Sequence, residues 1–564
     1  MRTLNLIPAI TLLACCQLVT FASPAKAGPT LIVNITDSSV VGDIVTVKVQ
    51  ATSEAGIAKV EFSVDDQIKS TSLKAPYEYK WDTVDEEEGR HTLIINAYDG
   101  AGSASTKRIK VEVDNELSKG VKPHADKAFK LFREDDYDGA LLEGRKAHKI
   151  DMANLEAIQA LAAGVGGKGD IERALKLLEE PQRVNNQVVG DPKDYPMKDR
   201  KALELRALFR TKRAEKQTNP AMLLADMATV YEFWRKIADM QLEEVRAKRG
   251  TGAPTPASLI MEGDALYDLG DLDGALAQYK KVPSTAKETE IAENRQIVAL
   301  LAMKRLKEAE DQLNVRFNAG RGNDQSHALM AAVYLRQYRF DKARTEADGP
   351  ARRGSLTGMV VSSYAELAFR NFNRSWELLK AADTKARGAE TRYLAACYFT
   401  DVKDLPKATD TLFESLRYAP GNLDTYVMRA LQLASLVPTE GMKQALPLFD
   451  YVLQKDPQNT GAKIGKSAVL FHFKMFRQAE PIAKDLTKED RTAGDVWVTT
   501  AAFYAGGTDQ LKATESLAQA RKLEPERFPD TTIPTMADFL PRVARYRRPP
   551  LLTPALLDAE SPLK

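Results

Sequence analysis

Five histidines, at positions 91, 124, 148, 327 and 472, and the single cysteine beyond residue 16 are the side chains best suited to metal binding or nucleophilic attack in this chain. No two of the histidines stand at metal-ligand spacing, and no His-Glu-x-x-His occurs. Cys397 falls in a stretch of helical periodicity, where a lone thiol packs rather than attacks. Residues 164–169 (GVGGKG) have the glycines of a phosphate loop but no Ser or Thr after Lys168 and no preceding strand. A helix-ending turn accounts for them. No Gly-x-Ser-x-Gly elbow is present. The run Asp85-Glu86-Glu87-Glu88 lacks the spaced oxygen ligands of a calcium loop and reads as a solvated turn. These residues nominate no catalytic, cofactor-binding or metal-ligating group, and a protein that is not an enzyme is expected.

The elements that carry these residues repeat. Ala275, Ala309 and Ala343 are 34 residues apart, as are Ala445, Ala479 and Ala513, and Ala140 and Ala174 keep the same interval. Self-similarity at this period marks a stack of helical hairpins. Between Leu259 and Pro283, Gly263 and Leu266 stand where two helices come close. Gly270 ends the first helix, and Ala275, Tyr279 and Val282 follow along one face of the second. Ala408 and a weaker unit at Ser375 continue the ladder, and the 37-residue step from Ala408 to Ala445 fits a three-residue insertion near Val437. Ten units are expected. Pro420, Pro457 and Pro525 stop second helices. Between Ala174 and Ala275 there is room for two very divergent repeats, but residues 185–197 read as a loop and 219–249 can instead form one unusually long helix, so a helical and irregular insert is expected.

Ahead of the ladder, residues 43–51 (DIVTVKVQA), 59–64 (KVEFSV) and 106–113 (TKRIKVEV) alternate apolar and polar side chains. That period of two, broken by Asp65-Asp66, Ala75-Pro76, Gly89 and Asp99-Gly100, predicts short strands in a two-sheet sandwich. The segments VEFSVD (60–65), APYEYKWD (75–82) and GRHT (89–92) leading to Ala97-Tyr98-Asp99 resemble the bacterial immunoglobulin-like domains of exported proteins. The resemblance covers residues 28–115 and implies an accessory or adhesion module, with Trp81 and Tyr98 as core aromatics.

The ladder resembles the tetratricopeptide repeat. Its last unit is the most complete, with Trp497, Ala501, Tyr504, Ala513, Leu517, Ala520 and Pro525. The resemblance implies an all-α superhelix that binds protein partners along an inner face built from first-helix residues. Carried over by register, that face holds Ile260, Asp264, Tyr267, Asn294, Val298 and Leu301. Further along it lie Leu335, Tyr393, Ile464, Phe471 and Val498. The competing reading is that these residues pack against the next helix. The Lys/Arg-with-Asn clamp for a terminal carboxylate is not reproduced, so an extended segment or helix with apolar anchors is the expected ligand.

The ends and the charge balance frame the function. Arg2, an apolar stretch from Leu4 to Phe21, and Ala25-Lys26-Ala27 form an export signal over residues 1–27, with lipid attachment at Cys15 as the minor alternative. Removing Arg2 and Lys26 leaves 78 basic against 78 acidic residues, which argues against general nucleic-acid binding. No later stretch is apolar enough to span a bilayer. The expected organisation is a signal at 1–27, an immunoglobulin-like sandwich at 28–115 and repeats at 120–184. A divergent insert at 185–255, the main array at 256–527, and a capping helix with proline-rich tail at 528–564 follow. The Arg542, Arg545, Arg547 and Arg548 cluster reads as a solvated cap. The function expected is an exported, periplasmic or extracellular scaffold that organises a cell-envelope complex. The alternative is a glycan-associated factor whose sandwich binds wall or exopolysaccharide while the repeats recruit synthesis or export machinery.

Overall fold

Alternating valines and aromatics build the N-terminal strands: β1 (Thr30–Val33), β2 (Ser39–Val41), β3 (Ile44–Thr52), β4 (Ile57–Val64), β5 (Gln67–Ser72), β6 (Tyr77–Asp82), β7 (Gly89–Asp99) and β8 (Ala104–Val113). One sheet has the order β1-β3-β6 and the other β2-β8-β7-β4-β5, antiparallel except for the β2–β8 pair. Val47, Val49, Phe62, Leu93, Ile95 and Val111 point between the sheets, around a fully buried Trp81. The sandwich is the expected one, with one change at Tyr98. That ring is half-buried and carries the Lys59 ammonium 4.5 Å from its centroid, so it is a surface aromatic and not a core one.

The computed structural model describes residues 28–180, 182–184, 187–190, 199–249, 252–436, 438–489, 494–507, 509–525, 528 and 552–560. The expected export signal, the capping helix at 536–546 and the arginine cluster lie outside them. The chain divides into two compact units, Met1–Leu161 and Ala162–Lys564.

In the first unit, α1 (Val121–Arg133) and α2 (Tyr137–Ile150) follow the sandwich. Arg145 of α2 donates to Asp82 at 2.5 Å and to Asp85 at 2.7 Å, and the Lys149 ammonium donates to the Val84 carbonyl at 2.8 Å. Glu88 accepts the Asn115 amide at 3.0 Å. The acidic turn is therefore a docking edge for the first helical hairpin. Beneath it, buried Glu143 accepts from His124 and Lys127, each at 2.7 Å. Burial raises that carboxyl, but the two donors outweigh burial and hold it below the usual range.

The second unit takes in α3 (Leu155–Gly167), which begins in the first, and continues with α4 (Ile171–Glu179). A short hairpin follows, β9 (Gln182–Val184) with β10 (Gln187–Gly190), where a loop is the sequence expectation. Next come α5 (Arg200–Lys216) and α6 (Pro220–Arg249), the long helix expected from the sequence. Eight hairpins complete the array. They are α7 (Pro256–Leu269) with α8 (Leu272–Lys280), α9 (Thr289–Ala302) with α10 (Leu306–Asn318), α11 (Asp324–Arg336) with α12 (Phe340–Arg352), and α13 (Leu356–Ala368) with α14 (Phe372–Lys385). They continue with α15 (Ala389–Asp401) and α16 (Leu405–Tyr418), α17 (Leu423–Leu436) and α18 (Pro438–Lys455), α19 (Thr460–His472) and α20 (Phe476–Glu489), then α21 (Gly494–Gly506) and α22 (Gln510–Leu523). A last helix, α23 (Pro554–Glu560), ends the described residues.

Small residues set the crossings inside each hairpin. The ladder alanines from Ala140 to Ala513, and Ser375 between them, are all 0% exposed. A Cβ on Gly263 would lie 2.3 Å from the Tyr279 ring, so only glycine lets α7 and α8 meet there. Among the described residues, six of the eight first helices end in one residue of positive φ: Gly270 at +87°, Lys304 at +59°, Tyr338 at +58°, Arg370 at +61°, Lys403 at +65° and Lys474 at +58°. Where the next residue is aspartate it caps the second helix, as Asp271 does for Gly274 at 2.9 Å. The three-residue insertion is absorbed by lengthening α18 to 18 residues.

Candidate partner-binding groove

First helices lie against first helices from α9 to α15 and from α17 to α21, and Asp264 of α7 is bonded to Arg295 of α9, so the first helices form a wall in two runs. The sequence-selected residues lie on this wall, and all are buried or half-buried. Tyr267, Val298, Leu301, Leu335 and Tyr393 belong to one apolar cluster. Ile464, Phe471 and Val498 belong to a second. Ile260 is 8% exposed beside them in sequence on α7. Asp264 accepts from the Tyr279 hydroxyl at 2.7 Å and from Arg295 Nε at 2.9 Å. Asn294 accepts from Arg316 at 2.7 Å, a bond between the two helices of one hairpin.

Two segments of the chain itself pack on the array: residues 552–560 on first helices, and α5 with α6 on the second helices α16 and α18 and the start of α17. The first cluster includes Leu552, Leu556 and Leu557, which precede or belong to α23. The second includes Ala214, Leu223 and Met227 from α5 and α6. The 30-residue α6 spans about 45 Å at 1.5 Å per residue, long enough to reach across several hairpins. Tyr231 meets Tyr426 and Tyr451 edge-on, with centroids 6.4 and 6.2 Å away. The Tyr426 hydroxyl donates to the Met227 carbonyl at 3.0 Å, and Lys455 pairs with Glu232 at 2.6 Å. A Cβ on Gly421 would lie 2.4 Å from the Trp234 ring. Sequence reasoning anticipated the packing of neither segment. The signal for α23 was an apolar pattern, Leu551-Leu552 and Leu556-Leu557, inside a proline-rich tail.

Between α5–α6 and residues 552–560 lies a cavity of about 960 Å³, lined by α5, α6, α7, the turns before α15 and α17, and the chain around Thr553. Asp268 is on its wall, where burial and the neighbouring Asp264 carboxylate push it up to about 6. Arg295 is 2% exposed. Burial opposes its charge, yet Asp264 and Asp558 outweigh burial and hold the guanidinium protonated more firmly than usual. Cys397 is buried, within the same apolar cluster as Leu556. Among the described residues no group of three or more His, Cys, Asp or Glu is placed to hold a metal ion. Among them also, no helix is long and apolar enough to cross a membrane.

Residues 32–95 match the bacterial Ig domain family. No curated protein matches the chain. Among solved structures, fibronectin(III)-like modules of Clostridium thermocellum CbhA are 26% identical over 16% of this chain, with a TM-score of 0.14; the chain spans about half of theirs, 47%. The APC/C hetero-tetramer Cut9-Hcn1 is 11% identical over 74% of this chain and 95% of its own, with a TM-score of 0.36. YrrB, described as a TPR protein with an unusual peptide-binding site, is 22% identical over 33% of this chain and 92% of its own, with a TM-score of 0.21. The helical fold is read from its own hairpins, their 34-residue period and their alanine crossings. Residues 32–95 are matched as a bacterial immunoglobulin-like domain, and the helices that follow form a tetratricopeptide-type solenoid.

Proposed function

We propose that this protein is an exported, non-enzymatic scaffold whose solenoid holds protein partners and organises a complex of the bacterial cell envelope. One observation supports the reading above the others: the first-helix wall grips a short helical segment, here residues 552–560 of the same chain, through apolar, hydrogen-bonded and ionic contacts. A wall that seats one such segment has the chemistry to seat another. The candidate groove remains the wall from Ile260 to Val498, with Asp264, Tyr267, Asn294, Val298, Leu301, Leu335, Tyr393, Ile464 and Phe471 between them. The expected domain limits at residues 115, 185, 255 and 528 are kept as part of this proposal.

The sandwich belongs to a family of bacterial domains, which supports export, and its docking edge on α2 makes it a rigid extension of the first hairpin. The direct experiment is crosslinking of the tagged full chain in cells, with mass spectrometry of what co-purifies. A recurrent protein crosslinked through first-helix residues is the expected result. A bait recovered only in the wall or polysaccharide fraction, with no protein attached, would transfer the assignment to the glycan-associated alternative.

A further inference from the structure

Residues 552–560 meet the wall with matching chemistry. Leu552, Leu556 and Leu557 are 2%, 5% and 7% exposed. The Leu552 carbonyl accepts the Tyr267 hydroxyl of α7 at 3.1 Å, and Asp558 pairs with Arg295 of α9. The Thr553 amide donates to Glu390 Oε1 of α15 at 3.0 Å, and its hydroxyl donates to the same oxygen. Thr553 also caps α23, accepting the Leu556 amide at 3.3 Å. The segment packs on α13 as well, so it touches four hairpins through first helices.

The two sides are unequal. The wall holds a buried carboxylate, Glu390, whose donors are Thr553 and its own backbone amide. It also holds a buried guanidinium, Arg295. Losing the occupant strips donors from the first and an acid from the second, the costly case for buried polar groups. The occupant by contrast is slight. A seven-residue helix is too short to persist alone in water, and Ala555 and Asp558 on it are exposed. Three leucines, one hydroxyl and one acid are a set that another protein can present.

Building on the scaffold reading, we infer that residues 552–560 are an exchangeable occupant of a peptide site, and that the site's external ligand is a partner-protein segment of the same chemistry. That chemistry is an apolar residue, then a helix-capping Thr or Ser, then a buried Pro and one exposed residue of any type, an apolar pair and an acid. The chain's own segment competes with the partner for the wall.

The test uses a fluorescein-labelled peptide of residues 550–561, titrated by anisotropy into the full chain and into the full chain carrying Leu556→Asp with Leu557→Asp. Releasing the tethered segment is expected to tighten peptide binding at least tenfold. A peptide with Thr553→Val and Asp558→Lys should lose that binding, as should a released chain with Arg295→Ala. No binding to a released chain that keeps its circular dichroism and melting transition overturns the inference, while leaving the scaffold reading to the crosslinking experiment. Amide hydrogen exchange on the unaltered chain gives an independent measure should the released chain unfold. Exchange in 552–560 faster than in α13 supports exchangeability, and equal protection refutes it. A dimeric chain made monomeric by the leucine substitutions would assign the segment to a second copy and likewise overturn the inference.

Discussion

Alanine at the crossing of two helices leaves no room for a larger side chain, and Ala479 is 0% exposed at such a crossing. Ala479→Trp is expected to destabilise the array by about 1–3 kcal/mol through overpacking. Lys484→Ala, on the solvent face of the same helix and paired only with Glu480 at the surface, should barely move the melting temperature. Equal shifts in a thermal melt would mean that the hairpin register is wrong. Asp268 supplies a second test. Its carboxyl is pushed up to about 6, so folding favours the protonated form; its contribution is full below about pH 4 and is lost as pH rises through 6. Asp268→Asn should therefore melt increasingly above the unaltered chain as pH is raised from 4 to 7, and a constant difference would exclude that role. The alanine ladder was legible from spacing alone. The Asp264–Arg295–Asp558 chain was not, because its last member lies 263 residues from Arg295.

Hairpin turns show how one backbone shape is reached with different residues. Gly270 adopts +87° freely, while Lys403 adopts +65° against the cost that a Cβ imposes there. Gly270→Ala is expected to cost about 1 kcal/mol, and Lys403→Gly to stabilise by up to about 1 kcal/mol, as read by chemical denaturation. Apart from α23, which was missed, and α5, which was not singled out, the helices were predictable in place and kind, because apolar periodicity and caps are local signals. The destination of α6 was not. Its partners Tyr426 and Tyr451 follow some 200 residues later, and nothing in a periodic pattern says which surface a helix face will meet. Tyr231→Ala removes three aromatic pairs, with Trp234, Tyr426 and Tyr451, and a cation stack from Lys455, and should destabilise by about 1–3 kcal/mol. If α6 were only an outer strut, that substitution would have little effect on the melt.

Each unit of the molecule has a distinct way of holding itself together. In the first, a sandwich presents an acidic edge to basic residues of α2, so the immunoglobulin-like module is fixed to the first hairpin. In the second, the tetratricopeptide-type array is braced by its own chain, with α5 and α6 against α16, α18 and the start of α17, and residues 552–560 against the earlier first helices. The sequence led to the expectation of a groove through its likeness to a partner-binding family; it could not show that residues 552–560 pack on the first helices of the same chain. The measurement that bears most directly on the scaffold assignment is site-specific photocrosslinking in cells. A photoreactive residue is placed at Arg336 or Arg387 on the cavity wall, with Lys484 on the outer face as the control. The account predicts one recurrent protein crosslinked from the wall positions and not from Lys484. Equal, unselective products from all three positions, or no protein product from the wall, would contradict it.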